Sequence, residues 1–287
     1  MSNIHITDFR KGFPYGPTEI FGLQEIVNDV EVGFSIVRLG LETTYSPPEF
    51  HAQDSGIETQ VILLSGAGII TVGEHSYEVE RKDVFSENPW AFDIPPGMFY
   101  SIRSRNKIEV AIIRAENSHR FRPVVARPRD IASEQRGEGL ADGTMHRIVK
   151  AIFGDPRCSK RARPSRSNLV VGEVVNFPGR WSSYPPHYHP QNEFYYYRFD
   201  RTQGFGGCFL GEEAYIVRSH DVVKIMNCVG HAQVSSPGYA MWYLWVIRQI
   251  EGNRYEGDPP FTYFPEHEWI LDKDARIWKP TGIPNQK

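Results

Sequence analysis

His187 and His189 stand two residues apart in the segment YPPHYHPQNEFYYY, residues 184–197, and Glu193 follows four residues after the second histidine. On an extended strand alternate side chains share a face. The two imidazoles can therefore be presented together, and the carboxylate can meet them where the chain re-enters a sheet. Two imidazoles and a carboxylate suit one divalent first-row metal ion, and Mn, Zn, Fe and Ni are all compatible with such a set. A fourth donor must come from elsewhere in the chain, and His231, at the end of a CVGH turn, is the candidate.

The elements that would position these groups are strands. The chain carries 25 glycines and 21 prolines, and 13% of its residues are aromatic. Extended helical periodicity is missing. Short β-branched and aromatic runs bounded by turn residues recur instead, at 32–39, 60–64, 68–72, 92–94, 109–114, 169–176, 194–199, 215–218, 222–226 and 241–247. Many short strands with frequent turns predict an all-β protein of sandwiches or barrels. Residues 128–145 are charged and glycine-bearing, and they read as a linker between an N-terminal domain at 1–127 and a C-terminal domain at 146–287. A short helical start is expected at 128–135.

The two halves look duplicated. Glu58 precedes a strand-like run as Glu193 does, KDVF at 82–85 resembles HDVV at 220–223, and PPGMFY at 95–100 falls where the second half has CVGH at 228–231. The offsets are all roughly 135 residues, far above solenoid periods, so the repeat is a whole domain. Aligned this way, the first half holds His51, Gln53, Glu58 and Tyr100 where the second holds His187, His189, Glu193 and His231. Two of four donors are missing there, which is too few for a protein-held divalent site. The first half reads as a copy that has lost the site.

Bulk properties exclude several classes. The net charge of −3 over 287 residues, without a basic tract or helix-turn-helix pattern, gives no sign of a nucleic-acid partner. No apolar run reaches the roughly 20 residues that span a bilayer. Residues 1–10 lack the apolar stretch of a leader peptide. Three scattered cysteines, Cys158, Cys208 and Cys228, fit buried free thiols in a reducing cytoplasm. Exposed sheet edges favour pairing between copies, so a homodimer or higher homo-oligomer is expected.

The motifs add a resemblance. His-x-His, a following Glu and a later His resemble the cupin superfamily. WSSYPPH at 181–187, YYYRF at 195–199, QGF at 203–205, SPGY at 236–239 and EHEWI at 266–270 resemble the 5-deoxy-glucuronate isomerases of inositol catabolism. Those are bicupins related to the 5-keto-4-deoxyuronate isomerases of pectin breakdown. The resemblance spans nearly the whole chain and is densest in the second half. The chain departs from that pattern at His220, at the lengthened turn before His231, at Cys208 and at Trp245.

The resemblance implies two tandem jelly-roll barrels and an aldose–ketose isomerisation of a deoxy sugar acid through an enediolate. His187, His189, Glu193 and His231 would hold the metal, which would polarise the carbonyl and the neighbouring hydroxyl. Glu193, Tyr195 and Tyr197 are the candidates for proton transfer, since alternation puts both tyrosines on the face of Glu193. Tyr184, Gln203, Tyr239 and Tyr243 are candidate substrate contacts. Arg180, Arg218 and Lys224 are candidate partners for the substrate carboxylate, whereas Arg198 is expected on the outer face and His220 in an exposed turn. A uronate isomerase of different specificity, an iron-dependent dioxygenase and a non-catalytic sugar-acid-binding cupin are the alternatives.

Overall fold

A computed structural model describes residues 4–5, 9–23, 30–47, 56–156 and 166–281. It holds three antiparallel sheets. In the second half, strands Glu193–Phe199, Met241–Arg248, Leu169–Asn176 and Arg147–Phe153 form the centre of a seven-stranded sheet. A five-stranded sheet containing Phe205–Leu210, His231–Ser235 and Trp181–Tyr188 faces it. Tyr195, Tyr197, Trp245 and Ile247 from the first sheet and Cys208, Leu210 and Val217 from the second fill the barrel between them. The first half is built on one eight-stranded sheet.

Two long strands, Ile57–Val72 and Tyr100–Glu116, pair along most of their length in that first barrel. Their register shifts between Leu63 and Ser65 and again between Gly66 and Gly68. Bulges of this kind bend a strand, so one long strand can serve two walls. Gly66 sits at the bend with φ +94°, and a Cβ there would overlap the carbonyl of Lys107. Only glycine meets both demands.

A third apolar core joins the barrels. Ile62, Leu64, Ala111 and Ile113 from the first meet Phe194, Tyr196, Trp242, Leu244 and Val246 from the second. Period-two alternation explains the division, because strand Glu193–Phe199 turns its odd residues into its own barrel and its even residues onto the neighbour. The same alternation governs the first half. Val61 and Leu63 face its own core, whereas Ile62 and Leu64 face the second barrel. Glu58 falls in the even set and points to the shared face. The proposed equivalence with Glu193 is thereby corrected, because a one-residue slip in a strand moves the side chain to the other face. His51 and Gln53 lie outside the described residues, and Tyr100 is buried in the first barrel's core.

The helical start expected at 128–135 is confined to its first three residues. A three-residue 3₁₀ turn, Pro128–Asp130, gives way to an extended Ile131 whose side chain enters the shared core. Strand Ser133–Arg136 then adds to the edge of the seven-stranded sheet beside Arg147–Phe153. At the opposite edge, Ile4–His5 pairs with Val222–Ile225. His220 adopts φ +73°, as a turn residue, but it is not exposed: its Nδ1 lies 2.7 Å from the Tyr196 hydroxyl and Phe13 packs edge-on against its ring. Cys208 is buried and Cys228 exposed, which corrects the expectation of buried thiols for Cys228; Cys158 lies outside the described residues. Among the described residues no helix is long and apolar enough to cross a membrane.

Candidate metal centre

The histidine motif lies where the second barrel's two sheets come together at one end. Strand Trp181–Tyr188 carries His187, and His189 is the first residue beyond it. Gln191 holds the connecting turn by donating to the Asn253 carbonyl at 2.6 Å. The chain then enters the opposite sheet, with Glu193 as the first residue of its strand. His231 opens strand His231–Ser235 and is the direct register partner of His187. His231 therefore meets the His187–Glu193 segment because each of the four residues stands at or beside a strand end on one rim.

Glu193 is the hub. Its Oε1 lies 3.2 Å from His189 Nε2 and 3.0 Å from His231 Nε2, with all three side chains buried. One ligand atom from each of His189, Glu193 and His231 falls within 4.8 Å of the others. His187 stands beside this trio, its ring centroid 4.5 Å from that of His231 and its Nδ1 3.3 Å from the Pro185 carbonyl. Burial works to raise the Glu193 pKa, but His231 and His189 outweigh it and hold the carboxyl well below its ordinary range. Burial, reinforced by His231 and His189, pushes His187 well below the usual imidazole value, so it is neutral near pH 7. An ionised carboxylate and buried imidazoles converging on one point match what a divalent cation requires. The residues fit such an ion.

Tyr195 and Tyr243 form the wall beside the hub, stacked with centroids 4.6 Å apart. The Tyr195 hydroxyl is 3.1 Å from His231 Nε2 and 3.3 Å from Ser183 Oγ. Burial and then the Glu193 charge raise its pKa well above the phenol value, so Tyr195 stays protonated near pH 7. Tyr243 donates to Ser182 Oγ at 2.9 Å. Tyr197 faces the same interior but lies deeper, donating to Gln233 Oε1 at 2.7 Å, and it does not line the cavity over the hub. Tyr184 lines an adjoining cavity and packs on Trp181. Gln203 is exposed in a turn, and Tyr239 packs near Phe205 at the barrel's edge. The structure brings neither of them to the cavity.

The cation candidates fall elsewhere. Lys224 lies over the Phe21 ring at 4.7 Å on the inter-barrel face, Arg218 is exposed, and neither these nor Arg180 line the cavity. Arg198 points outward as expected and bonds Glu109 of the first barrel at 2.6 Å. Sequence reasoning missed Arg136, Ser183, Tyr255 and Phe261, all of which line the cavity, and Arg147, for which the sequence suggests a structural role, lines it too. Arg136 was hidden in the linker. Tyr255 and Phe261 lie in a glycine- and proline-rich tail without strand patterning; their aromatic character just after the last long strand was the one available signal. The EHEWI motif forms most of a 3₁₀ helix, Pro265–Leu271, whose His267 ring approaches Tyr184.

Two β-barrels in tandem, with a buried His/Glu cluster at one rim, define a bicupin. The chain belongs to the KduI/IolB family, whose sequence pattern matches residues 23–270, and it is an isomerase by that membership. It is similar to the 5-deoxy-glucuronate isomerase of Geobacillus thermodenitrificans, at 27% identity over 75% of this chain and 79% of the relative. The protein of the same name from Listeria monocytogenes is 26% identical over 85% and 88%. Among solved structures, an IolB-like protein from Salmonella typhimurium superposes with TM-score 0.74 at 22% identity, covering 91% of this chain and 97% of that one. An oxalate decarboxylase from Lactobacillus farciminis shares the fold at TM-score 0.60 and 11% identity, covering 82% of each chain.

Proposed function

We propose that this chain interconverts the aldehyde and ketone forms of a deoxy sugar acid, 5-deoxy-glucuronate, in inositol breakdown in the cytoplasm. The observation that carries the reading is the buried convergence of His189, Glu193 and His231 in a chain similar to 5-deoxy-glucuronate isomerases. These three residues, with His187 beside them, would hold one divalent ion. When bound, such an ion would supply charge stabilisation for a carbonyl and its neighbouring hydroxyl.

The remaining roles belong to the protein. Tyr195, kept protonated by burial, presents a hydroxyl hydrogen to the substrate oxygen on which negative charge develops. Ser183, within 3.3 Å of both the Tyr195 and Tyr243 hydroxyls, orients that donor. Trp245, Ile247 and Phe261 supply apolar walls that exclude water around the enediolate.

Incubating the metal-loaded protein with 5-deoxy-glucuronate and following the aldehyde and ketone carbons by NMR tests the reading. Loss of the aldehyde signal with growth of the ketone is expected. Turnover of a different uronate alone, or oxygen consumption by an iron form without isomerisation, would overturn it.

A further inference from the structure

We infer that Arg136 and Arg147 together bind the carboxylate of the substrate, at the side of the cavity away from His189 and Glu193. The inference rests on the sugar-acid reading above and adds its missing cation.

The two arginines are direct register partners on neighbouring antiparallel strands, one from the linker and one from the first strand after it. Like charges placed directly opposite each other destabilise a strand pair unless an anion settles between them. Both side chains line the cavity over the hub, which holds about 60 Å³. Both also line a second cavity of about 200 Å³ that shares Ser183, His187 and Phe261 with the first but lacks His189 and Glu193. The arginines therefore stand where the two spaces meet.

The charge balance agrees. Among the described residues lining the two cavities the one carboxylate is Glu193, and it is committed to His189 and His231. Glu134 bonds Arg136 at 3.0 Å through Nε, and Arg147 donates to the Met145 carbonyl at 2.9 Å. Tyr243 lies close enough to feel Arg147: burial raises its pKa to about 12, while Ser182, Ser183 and Arg147 act against that rise.

The shape of the substrate completes the argument. A uronate carries its carboxylate at the opposite end of the carbon chain from its aldehyde. With the aldehyde over the Glu193 hub, the carboxylate must leave the small cavity and enter the larger one, passing Arg136 and Arg147. Planar guanidiniums bind carboxylates through paired, charge-assisted hydrogen bonds.

Calorimetric titration of the metal-loaded wild type, Arg136→Gln and Arg147→Gln with D-glucuronate and its neutral amide, D-glucuronamide, tests this. The wild type should bind the acid more tightly than the amide. Each substitution should weaken the acid by about tenfold or more while leaving the amide and the metal content unchanged. Arg147→Lys, which keeps the charge, should recover part of the loss. Equal binding of acid and amide by the wild type, unchanged acid binding in both variants, or equal loss of acid and amide would overturn the inference. Acid binding that depends on the arginines in a protein that turns over no 5-deoxy-glucuronate would uphold it and defeat the isomerase reading instead.

Discussion

Glu58 and Glu193 begin comparable stretches of strand in the two halves, yet Glu58 points between the barrels and Glu193 into one of them. Glu58 shares its buried site with Asp93, and Ser167 Oγ reaches both, at 3.2 Å and 3.4 Å. Asn168 N–H and Asn117 Nδ2 donate to Glu58 at 2.7 and 2.6 Å. The residue that resembled a retired ligand is thus part of the joint between domains.

This pair makes a prediction about pH. Burial pushes Glu58 up to about 7, and burial followed by the Glu58 charge pushes Asp93 well up. A carboxyl raised in the folded state keeps a proton that the unfolded chain releases, so stability falls as pH rises from about 4.5 through 7. Asp93→Asn removes the repulsion. Denaturant unfolding should show a flatter decline over that window and a variant more stable than wild type by on the order of 1 kcal/mol at pH 8. An unchanged slope would count against repulsion between the two carboxyls.

Arg81 and Glu173 form the second tie between the barrels. Arg81 Nη1 and Nη2 donate to Glu173 Oε1 and Oε2 at 2.8 and 2.7 Å, both side chains are fully buried, and Lys150 Nζ adds a third contact at 3.4 Å. Burial works to raise Glu173, but Arg81 and then Lys150 prevail and hold it below its ordinary value. Its contribution is therefore present above about pH 4.5 and is lost as pH falls through the lowered value. Glu173→Ala leaves two buried cations uncompensated and should cost about 3–5 kcal/mol in chemical unfolding at pH 7. A cost near zero would show that water reaches the pair.

Gly172 lies directly beneath Trp245, and a Cβ at 172 would collide with the indole. Gly172→Ala must push the indole into the cavity or spread the strands, with about 1–3 kcal/mol of destabilisation expected. Because Trp245 is a cavity wall, KM for the substrate should rise while metal content stays constant. Wild-type kinetics in a stable variant would mean that the wall is not in contact with substrate.

Tyr195→Phe removes one hydroxyl from a ring already packed between Tyr243 and Tyr197. The fold and the bound metal should persist, and kcat should fall about 10²-fold, the lower end for a positioned proton donor. A change confined to KM would assign Tyr195 to binding alone.

The sequence disclosed the parts of this protein that depend on alternation and spacing. Paired strand runs with frequent turns predict β-barrels, and the interval from His187 to Glu193 predicts a turn after which the chain re-enters a sheet. Matching short motifs across the halves was less secure, because Glu58 and Thr59 differ by one residue in the chain but by a whole face in the sheet. The carboxylate-side cavity was illegible for another reason. Arg136 becomes a wall residue only because the linker adds a strand to an open edge, and Phe261 only because the tail folds back across the rim. Neither event leaves a periodic trace.

The central claim is that His189, Glu193 and His231 hold a divalent ion. Metal analysis of purified wild type, His189→Ala and His231→Ala, with circular dichroism to verify folding, tests it most directly. One ion per chain in the wild type and loss of that ion from both folded variants is the predicted result. Full metal content in both variants would contradict the account.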